Sequence, residues 1–481
     1  MDSRLMLLCV VLVPCIGAFV LPFAGRISGG LRNLLALGLA IVPLLLVIVI
    51  LPTVMSAGPL NFTANINNIF NFTLYADGLA IFMAIVSAFL SAIIIFYSFG
   101  YISHYENQNE YYLMVLLFLG GMLGLIFSAN LVFLYLFWEI TAITSWRLIG
   151  FFREKQHVIK ADKAFLVTMF GSLLMLLGFI TIYQQTGSFD LQTIKETLGP
   201  SHLSNLAVVL LLAGIFAKSA TLPFHTWLPD AGVAPSPVTA LLHAALLVKI
   251  GVYVFARLFI ATFTVDDSWH TIVPIVAGAS ALVSAGAAMI DTDLKRIIAY
   301  STVSQIGFIF LGLSIGNEIG VAGGLLYIMM HGLAKGGLFL CAGIVEQNTK
   351  TKDITKLGGL IKTMPVTAMA FLFCSFSVMG IPPFGGFFSK YMVMTSTIKA
   401  GELWIMLTFL IGAVMTIIYL LRVFSMVFLG EAKTQPVREG SATMVISVAS
   451  LAVLSIIAGF AIAWPTQFVM AAIQHLPGVI R

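Results

Sequence analysis

Apolar stretches of membrane-crossing length recur along almost the whole chain, and this constrains the fold more than any motif does. A helix that crosses a bilayer needs about 20 mostly apolar residues. By that measure the sequence holds about fourteen such stretches. They begin near Leu5, Asn33, Asp77, Tyr112, Asn130, Asp162, Asn205, Pro235, Thr271, Lys295, Val321, Val366, Trp404 and Ala442. Of the 481 residues, 60% are hydrophobic and 9% charged. A soluble domain carries about 25% charged residues. The composition therefore predicts an all-α polytopic membrane protein with no room for a soluble catalytic domain. The apolar run from Leu5 to Ala24 is longer than the core of a cleaved leader, so it reads as a retained helix.

The net charge of +5 does not point to nucleic acid, because the basic residues gather in alternate loops. Arg153, Lys155, Lys160 and Lys163 share one loop region, and Lys350, Lys352, Lys356 and Lys362 another. The opposite side carries Arg4, Lys195, Lys399 and Arg481. By the positive-inside rule this places both termini outside, across an inner (cytoplasmic) membrane. Cys9, Cys15, Cys341 and Cys374 lie in apolar stretches without CxxC spacing. No phosphate loop or dinucleotide fingerprint occurs either. No cofactor, metal or catalytic site of the chain's own is expected.

Against this apolar background stand four lysines, Lys218, Lys249, Lys335 and Lys390. Each would add about 2.5–3.5 kcal/mol to insertion at the bilayer centre. Ionisable groups at that depth mark ion or proton pathways. Lysine can also give up its proton when buried, which arginine cannot. Glu139 lies in a further apolar run, Phe137-Trp138-Glu139-Ile140. A structural ion pair is the bland alternative. Lys218 is its expected partner, and a Glu–Lys pair that forms and breaks would change the lysine's hold on its proton.

Two histidines accompany the lysines. His331 and Lys335 are spaced i, i+4 and share a helix face. His243 precedes Lys249 by six residues, a spacing that does not share a face. A water or a distorted backbone would have to join them. Asp77 and Arg257 read more simply, as a helix-start acid and a snorkelling base. Arg147 and Arg422 also read as snorkelling residues near helix ends.

Two of the stretches are interrupted by proline. One break contains Pro223 and Pro229, the other Pro382 and Pro383, and each has a lysine beside it. Proline removes an amide donor and opens the helix. Opened backbone survives at membrane depth only where it is buried or lines a wet cavity. The breaks fall in the seventh and twelfth stretches, and an odd offset of five reverses orientation. This predicts two inverted five-helix repeats. The expected organisation is helices 1–3 over residues 1–111, a first repeat over 112–260, a second over 261–430, and a loop with a last helix over 431–481.

Several runs carry a family resemblance. They are Ala217 to Arg257, including Leu222-Pro223-Phe224-His225-Thr226-Trp227-Leu228-Pro229, then Ala299-Tyr300-Ser301-Thr302-Val303-Ser304-Gln305, and His331-Gly332-Leu333-Ala334-Lys335. Together they resemble the antiporter-like membrane subunits of Mrp-type sodium/proton antiporters, respiratory complex I and membrane-bound hydrogenases. Tyr75-Ala76-Asp77-Gly78-Leu79 and Ala342-Gly343-Ile344-Val345-Glu346 bring it nearest the N-terminal part of the large Mrp subunit. The expectation is a trimmed, stand-alone antiporter module.

The resemblance implies fourteen helices and a proton path through Glu139, Lys218, His243, Lys249, His331, Lys335 and Lys390. It implies other membrane subunits as partners, further antiporter-like ones among them. Energy would come from peripheral redox subunits, as in a proton-pumping oxidoreductase, or from exchange for sodium. The alternatives are a redox-free Mrp-type sodium/proton antiporter and a proton-coupled inorganic carbon uptake complex. Three positions depart from the family's habit: Arg147, Tyr391 after Lys390, and Gln305 where other branches place histidine.

Overall fold

The structure is a computed structural model that describes residues 2–65, 71–199, 201–433, 435, 438–474, 476 and 478–479. Among these, twelve helices are long and apolar enough to cross a membrane, and two shorter apolar helices, Asn205–Lys218 and Pro365–Met379, end at the proline breaks. Twelve and two make the fourteen segments expected. The chain is a multi-pass α-helical membrane protein.

Local chemistry sets the helix ends. Side chains of Asp77, Asn130, Ser204, Asp293 and Asn317 accept hydrogen bonds from the first-turn amides of the helices they precede. Those amides have no partner inside the helix. Gly187 and Gly316 close helices with φ of 70° and 76°, a conformation that glycine adopts without a Cβ penalty.

Three segments form the centre. Ser236–Ile260, Leu294–Ile315 and Glu318–Thr349 are almost wholly buried, whereas Gly29–Ala57 and Leu403–Phe428 bury only about a third of their residues. Leu34, Val49, Ile411 and Val414 are more than half exposed, as suits side chains facing lipid. Around Glu318–Thr349 pack Leu294–Ile315, Pro365–Met379, Gly385–Lys399 and Ala442–Phe460.

One element lay outside the all-helical expectation. Strands Leu60–Asn65 and Asn71–Ala76 form an antiparallel hairpin, with Leu60 opposite Ala76. The Ala129 amide donates to the Thr73 carbonyl at 3.0 Å, which ties the hairpin to the start of helix Leu131–Ile149. Two isolated bridges join loops, Asn130 with Asp190 and Asp293 with Asp353. The same interval of sequence separates the members of each pair.

Several charges read as snorkelling or loop residues prove to be tied down. Arg257 donates to both Asp77 oxygens at 2.6 and 2.7 Å, and to the Tyr253 hydroxyl. Arg147 pairs with Glu110, which also takes Arg153 at 2.7 Å. Arg422 donates to the carbonyls of Met289 and Asp291, capping helix Trp269–Ile290. Asp230 holds Lys163 and Arg296, each at 2.7 Å.

A candidate proton path built on buried lysines

Both breaks fall at the prolines, and both re-satisfy the backbone they open. After Lys218 the chain leaves the helix at Ser219, and Ala220 takes φ of 52°. The Thr221 amide reaches back to the Phe216 carbonyl at 2.9 Å, and the Trp227 indole N–H donates to the Ala217 carbonyl at 3.0 Å. Pro223 lies in the opening itself, while Pro229 sits in the short helix Trp227–Asp230 that follows. In the second break Gly380 ends helix Pro365–Met379 with φ of 81°, and the Ile381 amide donates to Phe376 at 3.0 Å. Pro382 and Pro383 lie between that helix and Gly385–Lys399.

All four lysines are buried, and all four donate to main-chain carbonyls. Lys218 Nζ meets the Trp138 carbonyl at 3.1 Å. Lys249 Nζ meets that of His243 at 3.2 Å. Lys335 Nζ meets that of Ile298 at 3.2 Å. Lys390 Nζ meets that of Val378 at 2.7 Å. Among the described residues, none of the four forms an ion pair within 4.0 Å. The expected partners Glu139 and Lys218 are thus neighbours without direct contact. Lys218 binds the carbonyl just before Glu139 and lies 5.0 Å over the Trp138 ring.

This choice of acceptor has a chemical consequence. A carboxylate at contact distance would favour the ammonium strongly. A carbonyl accepts from an ammonium and from a neutral amine alike. Two of these carbonyls come free through identifiable distortions. Val378 is the penultimate residue of a broken helix. The His243 carbonyl belongs to a π-turn, Leu241–Ala245, after which Leu246 adopts φ −124° and ψ −73°. Such bulges leave a carbonyl without its i+4 amide. The bulge brings the His243 carbonyl to Lys249, whereas the His243 ring makes no hydrogen bond to it.

His331 makes a different contact from the one its spacing suggested. Its Nδ1 lies 2.7 Å from Lys249 Nζ, a hydrogen bond between two helices. Lys335, one turn further along, turns instead to the Ser301 hydroxyl at 2.6 Å. Both ring nitrogens of His243, Nε2 of His331 and both Glu139 oxygens are buried without a protein hydrogen-bond partner. Buried polar groups are normally paired with protein or ordered water.

The sequence reading missed a set of hydroxyls beside Lys335. Tyr419 donates to Ser301 Oγ at 2.6 Å and reaches Thr416 Oγ1 at 3.3 Å. Gln305 Nε2 donates to Thr416 Oγ1 at 3.2 Å, and the Tyr327 hydroxyl donates to Gln305 Oε1 at 2.7 Å. Lys390 Nζ lies 5.5 Å over the Tyr327 ring and 4.5 Å over Phe308. The Thr416 and Tyr419 pair at i, i+3 was the available signal. It also missed Lys295, which is buried and pairs with Glu346 at 2.6 Å. That pair borders a cavity of about 770 Å³ that also touches Tyr101, Tyr105 and Ser441.

Comparison with known proteins identifies the family. Residues 128–416 match the family described as NADH:quinone oxidoreductase/Mrp antiporter, transmembrane. Residues 65–112 match the N-terminus of complex I chain 5. The chain is 36% identical to a Na(+)/H(+) antiporter subunit of Staphylococcus saprophyticus, over 93% of this chain and 60% of that protein. It is 37% identical to a Na(+)/H(+) antiporter subunit of Alkalihalophilus pseudofirmus, over 81% of this chain and 52% of that protein. It therefore spans little more than half the length of these curated relatives. Its fold matches a chain of the Mrp complex of a Dietzia species with a TM-score of 0.90, at 22% identity over 99% of this chain and 98% of that one. A chain of an archaeal membrane-bound sulfane sulfur reductase matches with a TM-score of 0.90, at 25% identity over 97% of both chains. The chain belongs to the NADH:quinone oxidoreductase/Mrp antiporter transmembrane family.

Proposed function

We propose that this chain moves protons along a buried axis of Glu139, Lys218, His243, Lys249, His331, Lys335 and Lys390, as one subunit of a larger membrane complex. The observation that carries this reading is the set of four buried lysines held by neutral carbonyls, with Lys249 hydrogen-bonded to His331. Each lysine can lose its proton without breaking an ion pair. Charges interact strongly in such an interior, so a proton gained at one lysine disfavours the next. Successive charge changes then pass along the axis.

The axis is organised by two inverted five-helix repeats over residues 112–260 and 261–430, flanked by helices 1–3 and by the segment 431–481. The breaks in the seventh and twelfth segments support this, as do the equally spaced bridges Asn130–Asp190 and Asp293–Asp353. Both termini face outward across the cytoplasmic membrane, as the loop lysines and arginines suggest. Partners are other membrane subunits, antiporter-like ones among them. The names of the curated relatives favour exchange for sodium as the energy source. The respiratory complex with the same fold keeps a redox-driven pump as the second reading.

The test is proton movement by the chain with its co-purifying subunits in sealed vesicles. Lys249→Ala and Glu139→Ala would be compared with wild type, with and without sodium. Both variants should assemble and lose proton movement, and a sodium requirement in the wild type selects exchange. Normal transport by assembled variants would make the buried charges structural and end the proposal.

A further inference from the structure

Lys218 and Lys390, the lysines at the two proline breaks, differ from the other two in what lies against the Nζ atom. Lys390 Nζ stands 4.5 Å over the Phe308 ring and 5.5 Å over that of Tyr327. Lys218 Nζ stands 5.0 Å over the Trp138 ring. Among the described residues, neither Lys249 nor Lys335 lies over the ring of a phenylalanine, tyrosine or tryptophan. The three rings come from helices other than those of the lysines they face, Leu131–Ile149, Leu294–Ile315 and Glu318–Thr349. All three are buried. Phe308 packs nearly perpendicular to Phe409, with centroids 4.7 Å apart, and the Tyr327 hydroxyl is tied to Gln305 at 2.7 Å.

Chemistry separates the two kinds of partner. A carbonyl accepts from an ammonium and from a neutral amine alike. The Ser301 hydroxyl at Lys335 and the His331 ring nitrogen at Lys249 are also indifferent, since each can accept a hydrogen bond or donate one. An aromatic face is different. It carries negative potential and attracts a positive charge, most strongly where water is excluded. A neutral amine gains nothing comparable there. The middle lysines thus have partners that serve both charge states, and the lysines at the breaks have partners that favour one.

Resting on the proton-path reading above, we infer that Trp138, Phe308 and Tyr327 are positioning residues that hold Lys218 and Lys390 in the ammonium form. The proton is stored at the two ends of the axis and passes through Lys249 and Lys335, whose partners accept either state. Phe308 and Tyr327 act on Lys390, and Trp138 acts on Lys218.

The test uses the full chain with its co-purifying subunits in sealed vesicles, with Lys249→Ala as reference. Lys390 is the cleaner case, because Glu139 lies near Lys218. Replacing Phe308 by its mono-, di- and trifluorinated forms keeps the ring's shape and drains its face of negative potential step by step. The alkaline limb of the pH profile of transport reads the loss of the stored proton. It should move to lower pH with each fluorine, and by about one pH unit in Phe308→Leu, a tenfold weaker hold. Trp138→Leu should move it the same way, and further than Trp138→Phe. The titratable groups that face Lys390 are Lys335, His331 and Tyr327, and Glu139 faces Lys218. The fluorinated series leaves all of them in place. The same series at Phe310, which packs on Phe216 and Phe255, should leave the limb where it is. If Lys249→Ala is dead while the limb stays fixed across the Phe308 series, or moves equally in the Phe310 series, this inference falls and the path survives. If Lys249→Ala transports normally, both fall.

Discussion

The Asp77–Arg257 clasp offers the sharpest measurement of stability. The two groups lie 180 residues apart in sequence and meet through two hydrogen bonds of 2.6 and 2.7 Å. Their side chains are only 13% and 5% exposed, so solvent screens the pair little. At an effective dielectric of about 20, charges about 4 Å apart attract by about 4 kcal/mol. Removing both charges also removes their desolvation penalty, whereas removing one leaves the other buried alone. Breaking such a pair from one side costs about 3–5 kcal/mol. Asp77→Asn is the cleanest single change, because asparagine still caps the helix through the Ala80 amide. Arg257→Met keeps most of the arginine's apolar stem. Each single variant should inactivate much faster on heating in detergent, and the double variant should recover most of that loss. Survival of folded, monodisperse protein after a heat step reads the effect. Full additivity in the double variant would refute the reasoning, since coupled partners are non-additive. The pH dependence has a definite sign. Burial alone would raise the Asp77 carboxyl, but the Arg257 guanidinium outweighs it and holds the carboxyl below its usual value. The stabilisation is therefore complete above the unfolded value of about 3.9 and is lost as pH falls through the lower folded value. Wild type and Asp77→Asn should converge only below about pH 4.

Two further changes probe the path and its packing. Deleting Ala245 should close the π-turn Leu241–Ala245 into regular helix, return the His243 carbonyl to an i+4 amide and so remove the acceptor that holds Lys249. Vesicle transport should then fall to the level of Lys249→Ala at normal abundance, and unchanged transport would show that the bulge does not aim the lysine. A Cβ on Gly459 would lie 1.7 Å from the Pro383 carbonyl oxygen, which is backbone and cannot swing aside. Gly459→Ala should therefore lose about 1–3 kcal/mol by overpacking, seen as a lower yield of folded protein than for Gly38→Ala, whose Cβ would meet nothing within 4 Å.

The membrane fold was legible because lipid allows so few backbone solutions. Apolar length counted the segments, and proline marked the two that open. The spacing of His243 and Lys249 asked for a water or a distorted backbone, and the π-turn that is present brings the His243 carbonyl to Lys249 but not its ring. What stayed hidden was pairing at long range. Asp77 and Arg257 each had a sufficient local explanation, and the i, i+3 spacing of Thr416 and Tyr419 marks a shared helix face without saying what that face meets. The hairpin was missed because its strands are only six residues long and adjoin a helix signal far stronger than their own alternation. Glu139 and Lys218 show a subtler limit. Opposite charges in neighbouring apolar helices suggest an ion pair, yet the nearest acceptor for Lys218 is the carbonyl of Trp138. Lys295, also buried, sits 2.6 Å from the Glu346 carboxylate, the partner one would choose to keep a lysine charged. The four axis lysines have carbonyls instead, two of them freed by a π-turn and a broken helix. A π-turn and a broken helix each lie beside one of these lysines, whereas a second π-turn, Ala256–Ile260, lies at Arg257.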